Sequence, residues 1–411
     1  MRPIHPKVLF IYPSIAFISL FCLNTAAAQQ IDSSRYVQIR ELQETVKNEF
    51  APDKRLKLVE LSTTDVPGNI YVIQTTESAA QKKLQAQTKG IDADITIILL
   101  PDASVENKHH GVVNLSVANL RTRPDHAAEM ASQVLLGAQV DILQKVRGDY
   151  RVRTPEGYIA WVPTSSIVAM DETELQQWSN SKKVIFTSEY GKSYAHPTST
   201  AAQVSDLVYG DILTLVGEND KYYTVSYPDK RKAYVKKDDA LPFNKWLSSR
   251  TPTADNVIAS AKTMLGLPYL WGGTSTKGVD CSGFTKTAYF MNGFVIPRDA
   301  SQQVLAGASI DILGEDGHFD PKKALQNLKP ADLLFFAAGK NSNPNARVTH
   351  VALYIGNGTF IHAAGSVRIN SMLKDSPDYD DFQTRTVVAA KRYLGIQDPT
   401  IQKVENSNYY K

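Results

Sequence analysis

The chain has 411 residues, 43% hydrophobic and 21% charged, with a formal net charge of +3 at pH 7. That length accommodates several domains, each able to bury a core, and the mild charge argues on composition alone for neither nucleic-acid binding nor strong membrane attraction. Beyond the N-terminal segment no apolar run is long enough to span a bilayer, and two cysteines cannot supply a disulfide framework.

Arg2 and Lys7 precede an apolar run that ends in Ala26-Ala27-Ala28, the pattern of a secretory signal cleaved after Ala28. Cys22 follows Phe21, where a lipoprotein signal requires a small side chain, so lipid anchoring is not expected. The expected location is periplasmic or in the cell envelope, with no membrane span after cleavage. Cys281 is then the one remaining thiol in an oxidising compartment, and nucleophilic catalysis is the leading reason to keep it there.

Residues 29–108 read as a small α+β unit. Val37, Leu42 and Val46 recur at helical spacing, the runs LKLVEL, NIYVIQT and DITIILL read as strands, and a charged helix runs from Glu77 to about Lys89. His109-His110 lacks the spacing of a metal site and reads as a solvated boundary.

An internal repeat follows, at 109–172 and 183–247. Laying Gly137 on Gly210 places Tyr150 on Tyr223, Val152 on Val225, Pro155 on Pro228 and Trp161 on Tyr234 without a gap. Short strands separated by turn signals predict one small β-barrel per copy. The stretches VANLRTRP and GYIAWVP in the first copy resemble bacterial SH3-like domains of cell-wall enzymes; the second copy is more degenerate. Its Lys230-Arg231-Lys232 and Lys236-Lys237 read as a solvated face rather than a polymer-binding one. Gly191-Lys192-Ser193 is not a phosphate loop, because Phe186 stands where that loop needs glycine.

The last domain is expected over 253–395. A helix from Ala254 to Leu265, with Val257, Ile258, Ala261 and Met264 on one face, ends at Gly266. The glycine-rich stretch from Tyr269 leads into a second helix that Asp280 can cap, leaving Cys281 in its first turn. Unpaired amides and the helix dipole there favour negative charge, so thiolate is the expected form; the competing reading is a buried structural cysteine. Ala331–Phe336 reads as a strand, and HVALYIGNGTFIHAAG as a hairpin with Asn357-Gly358 at its tip. A Gly356-Asn357-Gly358 loop pairs Leu353 with Ile361 and Ile355 with Thr359. Val351, Leu353, Ile355, Ile361 and Ala363 then share one apolar face, and His350 and His362 are diagonal neighbours on the other.

A thiol nucleophile needs a base, and the base needs a third group to hold its ring. Cys281, His350 and His362 meet that requirement in order. No G-x-S-x-G, HExxH or C-x-x-C pattern supports serine or zinc chemistry, and neither metal nor cofactor is expected.

The segments PYLWGG, DCSGF, PRDASQQ, P-x-D-L-L-F-F, HVALYIGNG and FIHA together resemble the NlpC family of papain-like cell-wall cysteine peptidases, over about residues 253–395. With two SH3-like modules ahead, the chain resembles the branch that cleaves the γ-D-glutamyl bond to a diamino acid in wall peptides. The resemblance implies a multidomain chain: a small α+β N-terminal unit, two SH3-like β-barrels and a C-terminal α+β papain-like domain. It also implies Cys281 as nucleophile, His350 as base, His362 as orienting residue, and Tyr269, Asp280, Ser282 and Ser301 as substrate contacts. In that branch the first barrel contacts a free N-terminal L-alanine, for whose ammonium Glu129, Asp280 and Tyr158 are the candidates. Ser282 and Ser301 suit the free α-carboxylate of γ-linked glutamate, and Tyr269 with the Cys281 amide suits an oxyanion. Arg298 reads either as a further carboxylate partner or as an ordinary surface arginine. Alternatives are an endopeptidase on intact, sacculus-attached stem peptides and a non-catalytic wall-binding protein. The expected partners are peptidoglycan-derived peptides, with the choice between lysine and diaminopimelate open.

Overall fold

The computed structural model describes residues 21–63, 70–339, 346–380 and 384–410, with side chains from residue 34 onward except that of Thr63. Most of the segment read as a signal sequence, and the side chain of Cys22, therefore lie outside the described residues. The chain divides into two compact units, Met1–Leu100 and Pro101–Lys411.

In the first unit, a helix at Phe21–Phe50 packs on a three-stranded sheet of order Val59–Thr63, Ile70–Thr75, Asp94–Leu99. The last two strands run parallel, joined by a helix at Ser78–Gln87, because a crossover between parallel strands needs a covering element. Ile39, Val46, Tyr71, Ile73, Ala80 and Leu84 form its buried core. Val37, expected on the apolar face of the long helix, is exposed, and Ile39 takes that place.

The second unit opens with two seven-stranded barrels. The glycines that revealed the repeat do the same work in each: Gly137 and Gly210 turn the chain at φ +80° and +96°, where a side chain would be strained. Gly137 also lets the barrels touch, since a Cβ there would lie 2.1 Å from the carbonyl oxygen of Ile212 in the second barrel.

The C-terminal domain is built on a six-stranded sheet in the order Ala308–Ser309, Arg385–Arg392, Leu333–Ala338, Val348–Gly356, Thr359–Ala364, Ser366–Ser371. The helices Ala254–Thr263 and Cys281–Phe290 cover one face, burying Val257, Ala261, Phe284 and Ala288 against Leu333, Phe335, Val351, Leu353 and Ile361. The hairpin register follows that apolar face: Leu353 pairs with Ile361 and Tyr354 with Phe360. Thr359 pairs with Gly356 rather than with Ile355, because the register shifts between Tyr354 and Gly356.

Three modules meet at Lys277, on the hairpin of the glycine-rich stretch. Its ammonium reaches Asp206 of the second barrel (2.6 Å) and Ser116 of the first (3.0 Å), and Ser116 donates to Asp206 (2.8 Å). Further on, Gln402–Lys403 pairs with Phe294–Val295, and the chain then crosses to the first barrel, where the Tyr409 hydroxyl donates to Asp141 (2.8 Å) and Tyr410 packs on Phe290.

The start of the cysteine helix rests directly on the glycine-rich loop. A Cβ at Gly283 would lie 1.9 Å from the Gly273 carbonyl oxygen. Gly283→Ala is therefore expected to cost about 2–3 kcal/mol, the upper part of the overpacking range, because the obstacle is backbone. Urea unfolding tests this as a lowered midpoint at unchanged m-value; a midpoint equal to that of the parent protein would show that the loop yields.

Candidate active site

Asp280 caps the cysteine helix as expected, and its carboxylate does more than cap. Oδ1 accepts from the Gly283 amide (2.7 Å), and Oδ2 accepts from the Gly272 amide of the glycine-rich loop (3.0 Å). Arg298 donates to both oxygens (3.1 and 2.7 Å), to Ser282 Oγ (3.0 Å) and, across the module boundary, to Ser132 Oγ of the first barrel (2.8 Å). Arg298 is 1% exposed, which overturns its reading as a surface arginine. The carboxylate it holds is the chain's own.

Cys281 begins the helix and is 6% exposed. Burial, and then the charge of Asp280, push its thiol up to about 12, outweighing the Val351 and Ser282 amides and Arg298, which pull it down. The expectation of a resting thiolate is thus corrected: desolvation exceeds what one helix terminus supplies.

The two histidines meet as the register requires. His350 Nε2 lies 2.9 Å from His362 Nδ1, and His362 Nε2 lies 3.0 Å from Asn370 Oδ1. Phe336 packs edge-on to His350, and Phe360 edge-on to His362. Burial holds both rings neutral. His350 is driven well below the usual imidazole value by burial, His362, Arg385 and Arg368, and His362 falls to about 3 through burial and Arg385. The Cys281 thiol faces the Val351 amide, one residue on from His350. Among the described residues no hydrogen bond joins that thiol to the His350 ring.

Tyr269 is half-buried beside this centre, its amide donating to Gly365 (2.9 Å). Burial, and then Cys281 and Asp280, push its phenol up, so it remains a donor. Ser282 is buried in the contact with Asp280 and Arg298, whereas Ser301 is half-buried in the short helix Ala300–Gln303. Of the ammonium candidates, Asp280 is committed to the cap and Arg298, and Tyr158 is buried near enough to Arg298 to act on its charge. Glu129 is exposed and accepts from the indole of Trp271 (2.8 Å), itself 61% exposed.

Sequence reasoning missed three groups. Gln133 clamps the first barrel to the glycine-rich loop, its Oε1 accepting from the Thr274 amide (3.0 Å) and Ser275 Oγ (3.1 Å). Trp271 was visible only as part of a motif. Asn370 had a usable signal: a turn at Gly365 makes it the diagonal neighbour of His362, by the rule that pairs His350 with His362.

The NlpC/P60 family profile matches residues 266–388, and the profile of the bacterial dipeptidyl-peptidase SH3 domain matches 120–167. A gamma-D-glutamyl-L-lysine dipeptidyl-peptidase of Bacillus cereus is 32% identical over 280 residues, 66% of this chain and 77% of the relative. Dipeptidyl-peptidase 6 of Lysinibacillus sphaericus is 25% identical, covering 68% of this chain and 98% of its own. A crystal structure of an NlpC/P60 family protein from Bacillus cereus superposes with a TM-score of 0.57 at 28% identity, over 69% of this chain and 99% of that one. Matched both in its peptidase domain and in the barrel ahead of it, the chain belongs to the NlpC/P60 family and is a cysteine-type hydrolase acting on peptidoglycan peptides.

Proposed function

We propose that the protein hydrolyses the bond between γ-D-glutamate and an L-diamino acid, lysine or diaminopimelate, in stem peptides with a free N-terminal L-alanine, during wall turnover or recycling. The observation that carries this reading is Glu129. It brings a carboxylate from the first barrel to Trp271, two residues from Tyr269, where an ammonium at the end of a short peptide would find its counter-charge. Asp280, already satisfied, is left as a positioning group. The dipeptidyl-peptidase names of the relatives support the same substrate class. Export to the envelope rests on the signal-like N-terminus.

In this reading Cys281 attacks the γ-carbonyl carbon. Nε2 of His350 is engaged by His362, so Nδ1 takes the thiol proton, after a turn about the Cys281 Cα–Cβ bond brings sulfur to it. Such contacts are commonly loose before substrate arrives. Thiol and imidazole are each neutral at rest, and proton transfer makes both charges together, adding no net charge to a buried site. The tetrahedral oxyanion accepts hydrogen bonds from the Cys281 amide and the Tyr269 hydroxyl. His350 returns the proton to the departing amine, leaving a thioester. Water, activated by the same nitrogen, then releases the dipeptide and restores the thiol.

Cys281→Ala is expected to lower kcat by at least about 10⁴-fold; retained hydrolysis removes the mechanism. Mass spectrometry of products from L-Ala-γ-D-Glu-L-Lys and its N-acetylated form tests the amine site. Cleavage of the free peptide alone is expected, and equal rates on both would favour an endopeptidase on attached stems. Because burial depresses His350, the base stays unprotonated below the ordinary imidazole value. The acidic limb of kcat/KM should accordingly fall below about pH 6.5. A limb at or above that value would mean a stabilised imidazolium at rest, contrary to the neutral pair.

A further inference from the structure

We infer that Asn370 is a positioning residue of the reaction: it sets the tautomers of both imidazoles so that the Nδ1 lone pair of His350 is available to the Cys281 proton. The inference rests on the catalytic reading above and adds a fourth member to it.

The Asn370 amide is oriented from outside the histidine pair. Its Nδ2 donates to the Asp378 carbonyl (3.1 Å), and its Oδ1 accepts from Arg368 Nε (3.1 Å). Reversing the amide would set its NH₂ against an N–H and its oxygen against a carbonyl, so two independent contacts fix which end faces His362. That end is an acceptor. The 3.0 Å contact from His362 Nε2 therefore carries the hydrogen on Nε2. A neutral imidazole has one N–H, so His362 Nδ1 is a lone pair, and the 2.9 Å contact has His350 Nε2–H donating. By the same count, Nδ1 of His350 bears no hydrogen. Three contacts in series thus translate the orientation of one amide into the basicity of one nitrogen two rings away.

During attack the thiol proton moves to His350 Nδ1, while Nε2–H keeps donating to His362; nothing is transferred to Asn370. An amide also differs from a carboxylate in this place, because it selects the tautomer without adding a charge that would make the rings more basic. The charged groups around the pair are Arg368 on the strand of Asn370 and Arg385, itself paired with Asp380 (3.3 Å). The Asp280–Arg298 pair lies with the cysteine helix.

Long-range ¹H–¹⁵N spectra of histidine-labelled full-length protein read the tautomers without substrate. In the parent protein both His350 and His362 are expected as Nε2–H tautomers, and in Asn370→Ala His350 is expected as a mixture. The same variant should lose about ten- to a hundredfold in kcat with KM within about twofold, while remaining folded at the assay temperature. Asn370→Asp keeps the acceptor oxygen, so it should restore the tautomer and most of kcat. Its charge should also move the acidic limb of the pH profile upward. The inference is overturned by an Asn370→Ala protein with parental tautomers or with kcat within about twofold of the parent. It is equally overturned if Asn370→Asp fails as badly as Asn370→Ala with no shift of the limb, which is the mark of a merely structural role. Because the spectra need no substrate, they judge this inference even where Cys281→Ala retains activity and the catalytic reading fails.

Discussion

The geometry of the site depends on the Asp280 carboxylate and the guanidinium of Arg298 buried against it. Capping alone is worth about 1 kcal/mol, whereas stripping one member from a buried ion pair costs about 3–5 kcal/mol, so the pair dominates. Both oxygens are used, one on the helix start and one on the glycine-rich loop, and Arg298 extends the link to Ser132. A helix terminus, a loop and a neighbouring barrel are thereby held to one point, one residue before the sulfur.

The price of this arrangement is desolvation. Raising a thiol from 9 to about 12 corresponds to roughly 4 kcal/mol, against about 0.3–2 kcal/mol available from a helix terminus. Burial wins, and it wins on the histidines as well. In the proposed reaction such a site rests neutral and develops charge only when proton transfer and attack occur together, in surroundings where fixed amides and hydroxyls act with little screening.

The barrels are part of the same structure rather than appendages to it. Gln133 and Ser132 of the first barrel hold the glycine-rich loop and Arg298, and Lys277 draws in Asp206 of the second. The chain after residue 400 closes the circuit by burying Tyr410 against Phe290, at the far end of the cysteine helix. Both ends of that helix are therefore held by elements from outside its own domain. This limits how far the first barrel can move without disturbing the sulfur.

Short-range rules carried much of this in the residues themselves. Apolar alternation in the hairpin specified the pairing of Leu353 with Ile361 and so brought His350 to His362; an Asp before a helical run specified the cap; aligned glycines exposed the repeat. These signals are legible because each concerns neighbours in the chain or a periodicity that one buried face enforces. The protonation of Cys281, the partner of Arg298, the clamp at Gln133 and the crossing of Tyr409 to Asp141 were decided only by the tertiary structure. Each joins polar groups distant in sequence or depends on how much water is excluded from one atom, and neither quantity has a local pattern.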